Sequence, residues 1–154
     1  MAGPGRAQRP ERWVIDSSVI VKWFNPEEQD HQLAIAVRDS HINELTMGVI
    51  PDLAMYEVVN ALRHNSQYDA QEVAAAVGEM GTLGLDIVPF QLDILLRASE
   101  LAFDMGATVY DCYFAALAEH LDVPLVTADE KMMRQLRDHP WMLPLRTAVR
   151  GFDQ

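Results

Sequence analysis

The stretch Trp13-Val14-Ile15-Asp16-Ser17-Ser18 runs three strand-forming apolar residues straight into an acid and two serines. An apolar run this short, with no alternation, predicts a strand buried on both faces, of the kind found inside a parallel sheet. Asp16 then stands at the strand's C-terminal end, the edge of an open α/β sheet at which ligands bind. Ser17 and Ser18 turn the chain, with Ser18 placed to cap the next helix. Taken alone, the acid could equally open a turn. The same arrangement returns late in the chain: Pro124-Leu125-Val126-Thr127 predicts another buried strand, and Ala128-Asp129-Glu130 follows at once.

Between those strands the pattern alternates. Val19 to Phe24 predicts a short helix broken at Asn25-Pro26, and Pro26 suits the first turn of a second helix, with Glu27, Glu28 and Asp30 near its positive end. Leu33, Ala34, Val37 and Ile42 give that helix its apolar stripe. Met47 to Ile50 predicts a strand, and Pro51-Asp52 opens a helix that carries Glu57. The neighbours of Glu57 three and four residues away are Leu53, Ala54, Asn60 and Ala61, an unusual setting for a merely solvated acid. Asp69-Ala70-Gln71-Glu72 is a capping box for a helix running to about Met80, ended by Gly81 and Gly84. Leu85 to Val88 predicts a third strand. Gln91 to Met105 predicts a helix with Leu92, Leu95, Leu96 and Leu101 on its apolar side, closed by Gly106. Thr108 and Asp111 then read as cap and third residue of a further helix, which holds Asp111 rigidly in its first turn. Pro140 to Pro144 reads as a connector and Leu145 to Val149 as an edge strand. Strands alternating with helices predict a single α/β domain over residues 13–150, with a central, mostly parallel sheet flanked by helices. Residues 1–12 read as a flexible arm and 151–154 as a tail.

The chain has 154 residues, enough for one domain with one core. Its 49% hydrophobic and 23% charged residues are those of an ordinary globular protein. No apolar run approaches the roughly 18 residues of a spanning helix, and the N-terminus lacks the apolar segment of a secretory signal, so a cytoplasmic protein is expected, with no membrane association. Cys112 is the only cysteine, which rules out an internal disulfide framework and leaves it as a packing thiol. A net charge of -11, from 12 Lys and Arg against 23 Asp and Glu, argues against a protein that coats nucleic-acid backbone. It does not argue against an acidic pocket where divalent cations invert the local field.

Asp16, Glu57, Asp111 and Asp129 each sit at a strand end, in a first helical turn or on an apolar helical face. Brought together, such acids raise one another's pKa values unless cations neutralise them. Ligands that are all oxygen, with no paired His or Cys, favour Mg²⁺ or Mn²⁺ over zinc. Carboxylates holding such ions point to phosphodiester hydrolysis by metal-activated water. Lys131, Arg134 and Arg137, at helical spacing after Asp129, form a short basic stripe able to hold phosphates or to complement the helix's negative end. Arg6, Arg9 and Arg12 on the N-terminal arm could also touch phosphates.

These residues carry a resemblance. Val14-Ile15-Asp16-Ser17-Ser18, the Glu57 helix, Tyr110-Asp111-Cys112-Tyr113 with its alanine-rich continuation, and Leu125-Val126-Thr127-Ala128-Asp129 together resemble a PIN domain, and most closely the VapC ribonuclease toxins of toxin–antitoxin pairs, from about Trp13 to Arg150. The resemblance implies that Asp16, Glu57, Asp111 and Asp129 are metal-binding catalytic acids and that Ser18 and Thr127 help order them. It implies an endoribonuclease using Mg²⁺ or Mn²⁺, a homodimer, and inhibition by a small VapB-like antitoxin. The acidic net charge departs from the expectation for an RNA-cutting protein, so RNA contact should concentrate on Lys22, Lys131, Arg134 and Arg137. Four other readings compete. A PIN nuclease of RNA processing or quality control would carry the same acids without a toxin role. A non-catalytic metal- or RNA-binding module would bind without cutting. A phosphate-accepting receiver expects a paired acid ahead of the first strand end and a late lysine at a strand terminus, and neither is evident; a haloacid-dehalogenase phosphatase expects a second Asp where Ser18 stands.

Overall fold

The computed structural model describes residues 10–65 and 67–153. The arginines Arg6 and Arg9 proposed for the N-terminal arm lie outside the described residues. Five parallel strands form one sheet in the order β3-β2-β1-β4-β5: β1 Glu11–Ile15, β2 Thr46–Pro51, β3 Asp86–Val88, β4 Leu125–Thr127 and β5 Met142–Pro144. The helices are α1 Ser17–Trp23, α2 His31–Ile42, α3 Asp52–His64, α4 Ala70–Thr82, α5 Leu92–Met105, α6 Val109–Leu121, α7 Glu130–Gln135 and α8 Leu145–Arg150. The chain winds from β1 to β3 on one side and places β4 and β5 on the other, so the order reverses between β1 and β4. That reversal opens a crevice at the strands' C-terminal ends.

The central strands are apolar because both faces are covered. Val14, Val49, Leu125 and Val126 are fully buried, and they pack with Phe114, Leu117 and Ile20 from the flanking helices. Cys112 belongs to this core, and burial pushes its thiol up to about 11. Two helices are fixed by caps legible in the chain: Asp69 accepts from the Glu72 N–H at 2.8 Å, and Gly106 ends α5 at φ 67°.

Several expectations are corrected. The first strand starts at Glu11, and Arg12 is paired to Asp86 at 3.1 Å, so neither residue belongs to a flexible arm. The segment after Pro26 is a turn, not a helix. Its geometry is set by Lys22, whose Nζ donates to Glu28 Oε1 at 3.2 Å and to the Gln29 carbonyl at 2.8 Å, and α2 begins only at His31, after Asp30 in the left-handed region. The edge strand comes earlier than expected: Met142–Pro144 pairs with β4, and Leu145–Arg150 is helical. Residues 151–153 form a helical turn whose Phe152 stacks on Trp13, with ring centroids 5.4 Å apart, so this end of the chain is part of the packing. On α5 the core face is Ile94, Ala98 and Leu101; Leu92 and Leu96, expected on the apolar side, are exposed.

Candidate active site

A cleft of about 450 Å³ opens at the crevice between β1 and β4, and Asp16, Glu57, Asp111 and Asp129 all line it. Asp16 follows β1 and is the cap of α1, the role the sequence suggested for Ser18. It is 3% exposed. Its Oδ2 accepts from the Ser18 hydroxyl at 2.5 Å, from the Thr127 hydroxyl at 3.0 Å and from the Ser18 N–H at 3.4 Å. Among the described residues no hydrogen bond falls on Oδ1, so one oxygen is anchored and the other is uncommitted. The Asp16 N–H donates to the Val126 carbonyl at 2.9 Å, which ties the acid to β4.

Asp129 caps α7, accepting from the Met132 N–H at 3.0 Å, while its own N–H donates to the Thr127 hydroxyl at 3.1 Å. Ser18 Oγ accepts from the Ala128 N–H at 3.0 Å. Ser18 and Thr127 therefore stitch the two strand ends together around Asp16. Asp111 lies in the first turn of α6, where its N–H donates to the Thr108 hydroxyl at 3.1 Å, as the capping reading required. Glu57 reaches the cleft from α3, with Oε1 accepting from the Ser17 hydroxyl at 3.1 Å.

The acids bear the cost of this arrangement. Asp16 is raised to about 6, first by burial and then by the charges of Asp111 and Asp129, against the lowering effect of the Ser18 and Thr127 hydrogen bonds. Glu57 is raised to about 7, again by burial first, with Asp16, Asp111 and Asp129 adding to it and the Ser17 bond opposing. Asp111 is raised by burial and by Asp129, with Thr108 and Lys131 opposing. A set of oxygen donors that destabilise one another's charge fits a divalent cation, which relieves the repulsion and accepts hard oxygen ligands. Among the described residues no three His, Cys, Asp or Glu side chains stand close enough together to hold one metal ion between them. Mg²⁺ is commonly held by one or two carboxylates with the rest of its shell water, so an open set of acids suits it.

Two further features were not foreseen, and a third corrects the expectation of Lys22 as an RNA contact. Ser17 orients Glu57, and only its place in the Asp-Ser-Ser run hinted at a role. Glu28 lines the cleft from the turn that had been read as helix. Lys22 lines the cleft too but is engaged with Glu28 and the Gln29 carbonyl, so it is a buried part of the wall and not a free cation. Of the expected basic stripe, Lys131 and Arg134 are exposed on α7, whereas Arg137 lies past the helix end and does not continue the row.

Comparison with known proteins places this geometry. The family model for the PIN domain matches residues 13–138. Ribonuclease VapC3 of Pyrobaculum aerophilum is 33% identical over 124 residues, which span 77% of this chain and 90% of that protein. Among solved structures, PAE2754 from Pyrobaculum aerophilum superposes with a TM-score of 0.66 at 22% identity, covering 97% of this chain and all of that one. VapBC2 from Rickettsia felis, solved bound to a DNA fragment from their promoter, gives 0.65 at 12% identity over 86% of this chain and 96% of that chain. At these identities the structural likenesses speak to the fold alone.

Proposed function

The chain belongs to the PIN-domain family, and we propose that it is a Mg²⁺- or Mn²⁺-dependent endoribonuclease, the toxin of a VapBC-type toxin–antitoxin pair. The observation that carries this reading is the gathering of Asp16, Glu57, Asp111 and Asp129 in one cleft, three of them raised by burial and mutual charge. The relative named ribonuclease VapC3 supports RNA as the substrate. The VapBC2 structure supports a small antitoxin as partner. A cytoplasmic location is consistent with both, and no described helix is long and apolar enough to cross a membrane.

In this reading Asp16 and Asp111 hold the principal ion, while Asp129 and Glu57 hold a second ion or position the attacking water. A bound divalent ion supplies a water of lowered pKa and neutralises charge developing on the phosphate. Ser18 and Thr127 keep Asp16 Oδ2 anchored so that Oδ1 is presented in one orientation, and Ser17 does the same for Glu57. Lys131, whose charge acts on Asp111, and Arg134, exposed on the same helix, draw in the RNA backbone. A homodimer is supported by the outer face of α5, where Leu92, Leu96 and Phe103 are exposed at helical spacing and Phe103 is 90% exposed. The test is cleavage of a panel of transfer, ribosomal and unstructured RNAs, with Mg²⁺, with Mn²⁺ and with chelator. Cutting that requires the ion is expected; ion-independent cutting, or none from the folded protein freed of any inhibitor, overturns the reading.

A further inference from the structure

Beside the acid cleft, sharing the helices α3 and α6, lies a second pocket of about 240 Å³, lined by Tyr56, Phe90, Tyr110 and Tyr113 together with Leu95 and Asp52. Tyr56 precedes Glu57 on α3, and Tyr110 precedes Asp111 on α6, so the pocket's two tyrosine walls are built from the helices that carry two of the acids. Tyr113 is buried, and its hydroxyl accepts from the Gln91 N–H at 3.2 Å, which fixes the base of the pocket to the segment entering α5. The other three rings are left to solvent: Tyr56 is 69% exposed, Tyr110 64% and Phe90 58%. None of them is used by the core or by the acids.

We propose that this pocket is a stacking site for one unpaired base of the RNA strand whose phosphate lies in the acid cleft. The proposal rests on the ribonuclease reading above. Four observations favour this occupant. Its walls Tyr56 and Tyr110 are the chain neighbours of Glu57 and Asp111, so the pocket lies one residue along the backbone from two of the acids. It is smaller than the roughly 300–1,000 Å³ of pockets for drug-sized ligands, which matches a single planar ring system. Its exposed walls are aromatic faces, the surface on which single-stranded bases stack irrespective of sequence. Finally, a chain of net charge -11 has few cations for neutralising phosphates beyond the ion site and α7, so uncharged stacking adds affinity for a polyanion without adding charge.

The experiment uses a short unstructured RNA that the protein cleaves, prepared with an abasic ribose at each position flanking the cut. Tyr56→Ala and Tyr110→Ala should each raise KM roughly ten-fold, the size of a lost stacking contact, and Tyr56→Phe and Tyr110→Phe should restore it. At one RNA position the abasic sugar should raise the parent's KM comparably and add nothing in the alanine variants. Alanine variants with parental KM, or abasic penalties equal in parent and variants, overturn the stacking site while leaving the ribonuclease reading intact. A parent that neither cleaves nor retains RNA overturns both. Sedimentation of the same proteins separates the rival occupant: if the parent is a dimer and the alanine substitutions dissociate it, the pocket belongs to a second copy and the proposal fails. Should an alanine variant unfold, the abasic series on the parent still decides, since no position-specific penalty overturns the site.

Discussion

Asp16→Asn makes the ion-free protein more stable at neutral pH, although it removes the most deeply buried of the four acids. The reason is the environment of that carboxyl. Moving it from 3.8 in the unfolded chain to about 6 in the folded one corresponds to about 3 kcal/mol of ionisation penalty at a pH well above both values. The amide keeps the size of the side chain and an oxygen for the Ser18 and Thr127 hydroxyls, but it carries no charge. Below about pH 4 the carboxyl is protonated in both states and the penalty vanishes. As pH rises from about 4 to about 6 the unfolded chain is ionised while the folded one still holds its proton, so the parent loses over that window stability that the amide variant retains, and above about 6 the full penalty remains. Denaturant and thermal unfolding of both proteins in chelator, from pH 4 to 8, measure the difference. At roughly 2–4 °C per kcal/mol for a chain of this size, the variant's Tm should exceed the parent's by up to about 10 °C at pH 8 and match it near pH 4. A variant less stable than the parent at pH 8, or a gap independent of pH, would refute the reasoning.

Divalent ion should stabilise the parent more at pH 7.5 than at pH 5, because protons compete for Asp16 and Glu57, whose values stand at about 6 and about 7; scanning Tm against Mn²⁺ concentration at both pH values checks it, and equal shifts contradict it. Thr127→Val removes the donor to Asp16 and leaves the Asp129 N–H without its partner, so about 1–3 kcal/mol of stability should be lost at pH 7.5 in chelator, with less lost near pH 4. A urea titration at the two pH values reads both halves of that statement. Leu96→Glu places a charge on the exposed face of α5 and should shift sedimentation toward a monomer with Tm of the domain little changed; an unaltered sedimentation coefficient would remove this face as the dimer contact.

How much of this was legible in the chain differs from residue to residue. Asp16 and Asp129 were readable because an apolar run of strand type ended in each, and the end of a parallel strand fixes where the next side chain emerges. Glu57 stood out as an acid among small apolar helical neighbours, and Asp111 came with the Thr108 cap. That these four share one cleft follows from strand order, which local pattern does not encode: β1 and β4 are over a hundred residues apart in sequence. Glu28 was missed for a different reason. Pro26 with three following acids is a good helix opening by local rules, and contacts from outside it, Lys22 reaching Glu28 and the Gln29 carbonyl and Arg146 reaching Asp30, hold the segment as a turn. Met142-Leu143-Pro144 is too short and proline-bounded to announce a strand, yet the free edge of β4 recruits it. Leu92 and Leu96 were misassigned because α5 is apolar on more than one side, and periodicity cannot say which side the domain covers.

The most direct measurement is single-turnover cleavage of one RNA substrate by the parent and by Asp16→Asn, side by side in Mg²⁺ and in chelator, with folding of both verified by circular dichroism. Cleavage only by the parent and only with the ion, while the amide variant is folded and at least as stable, is the result predicted for a carboxylate-held metal nuclease. Comparable cleavage by Asp16→Asn in Mg²⁺ would contradict it and move the chemistry away from this cleft.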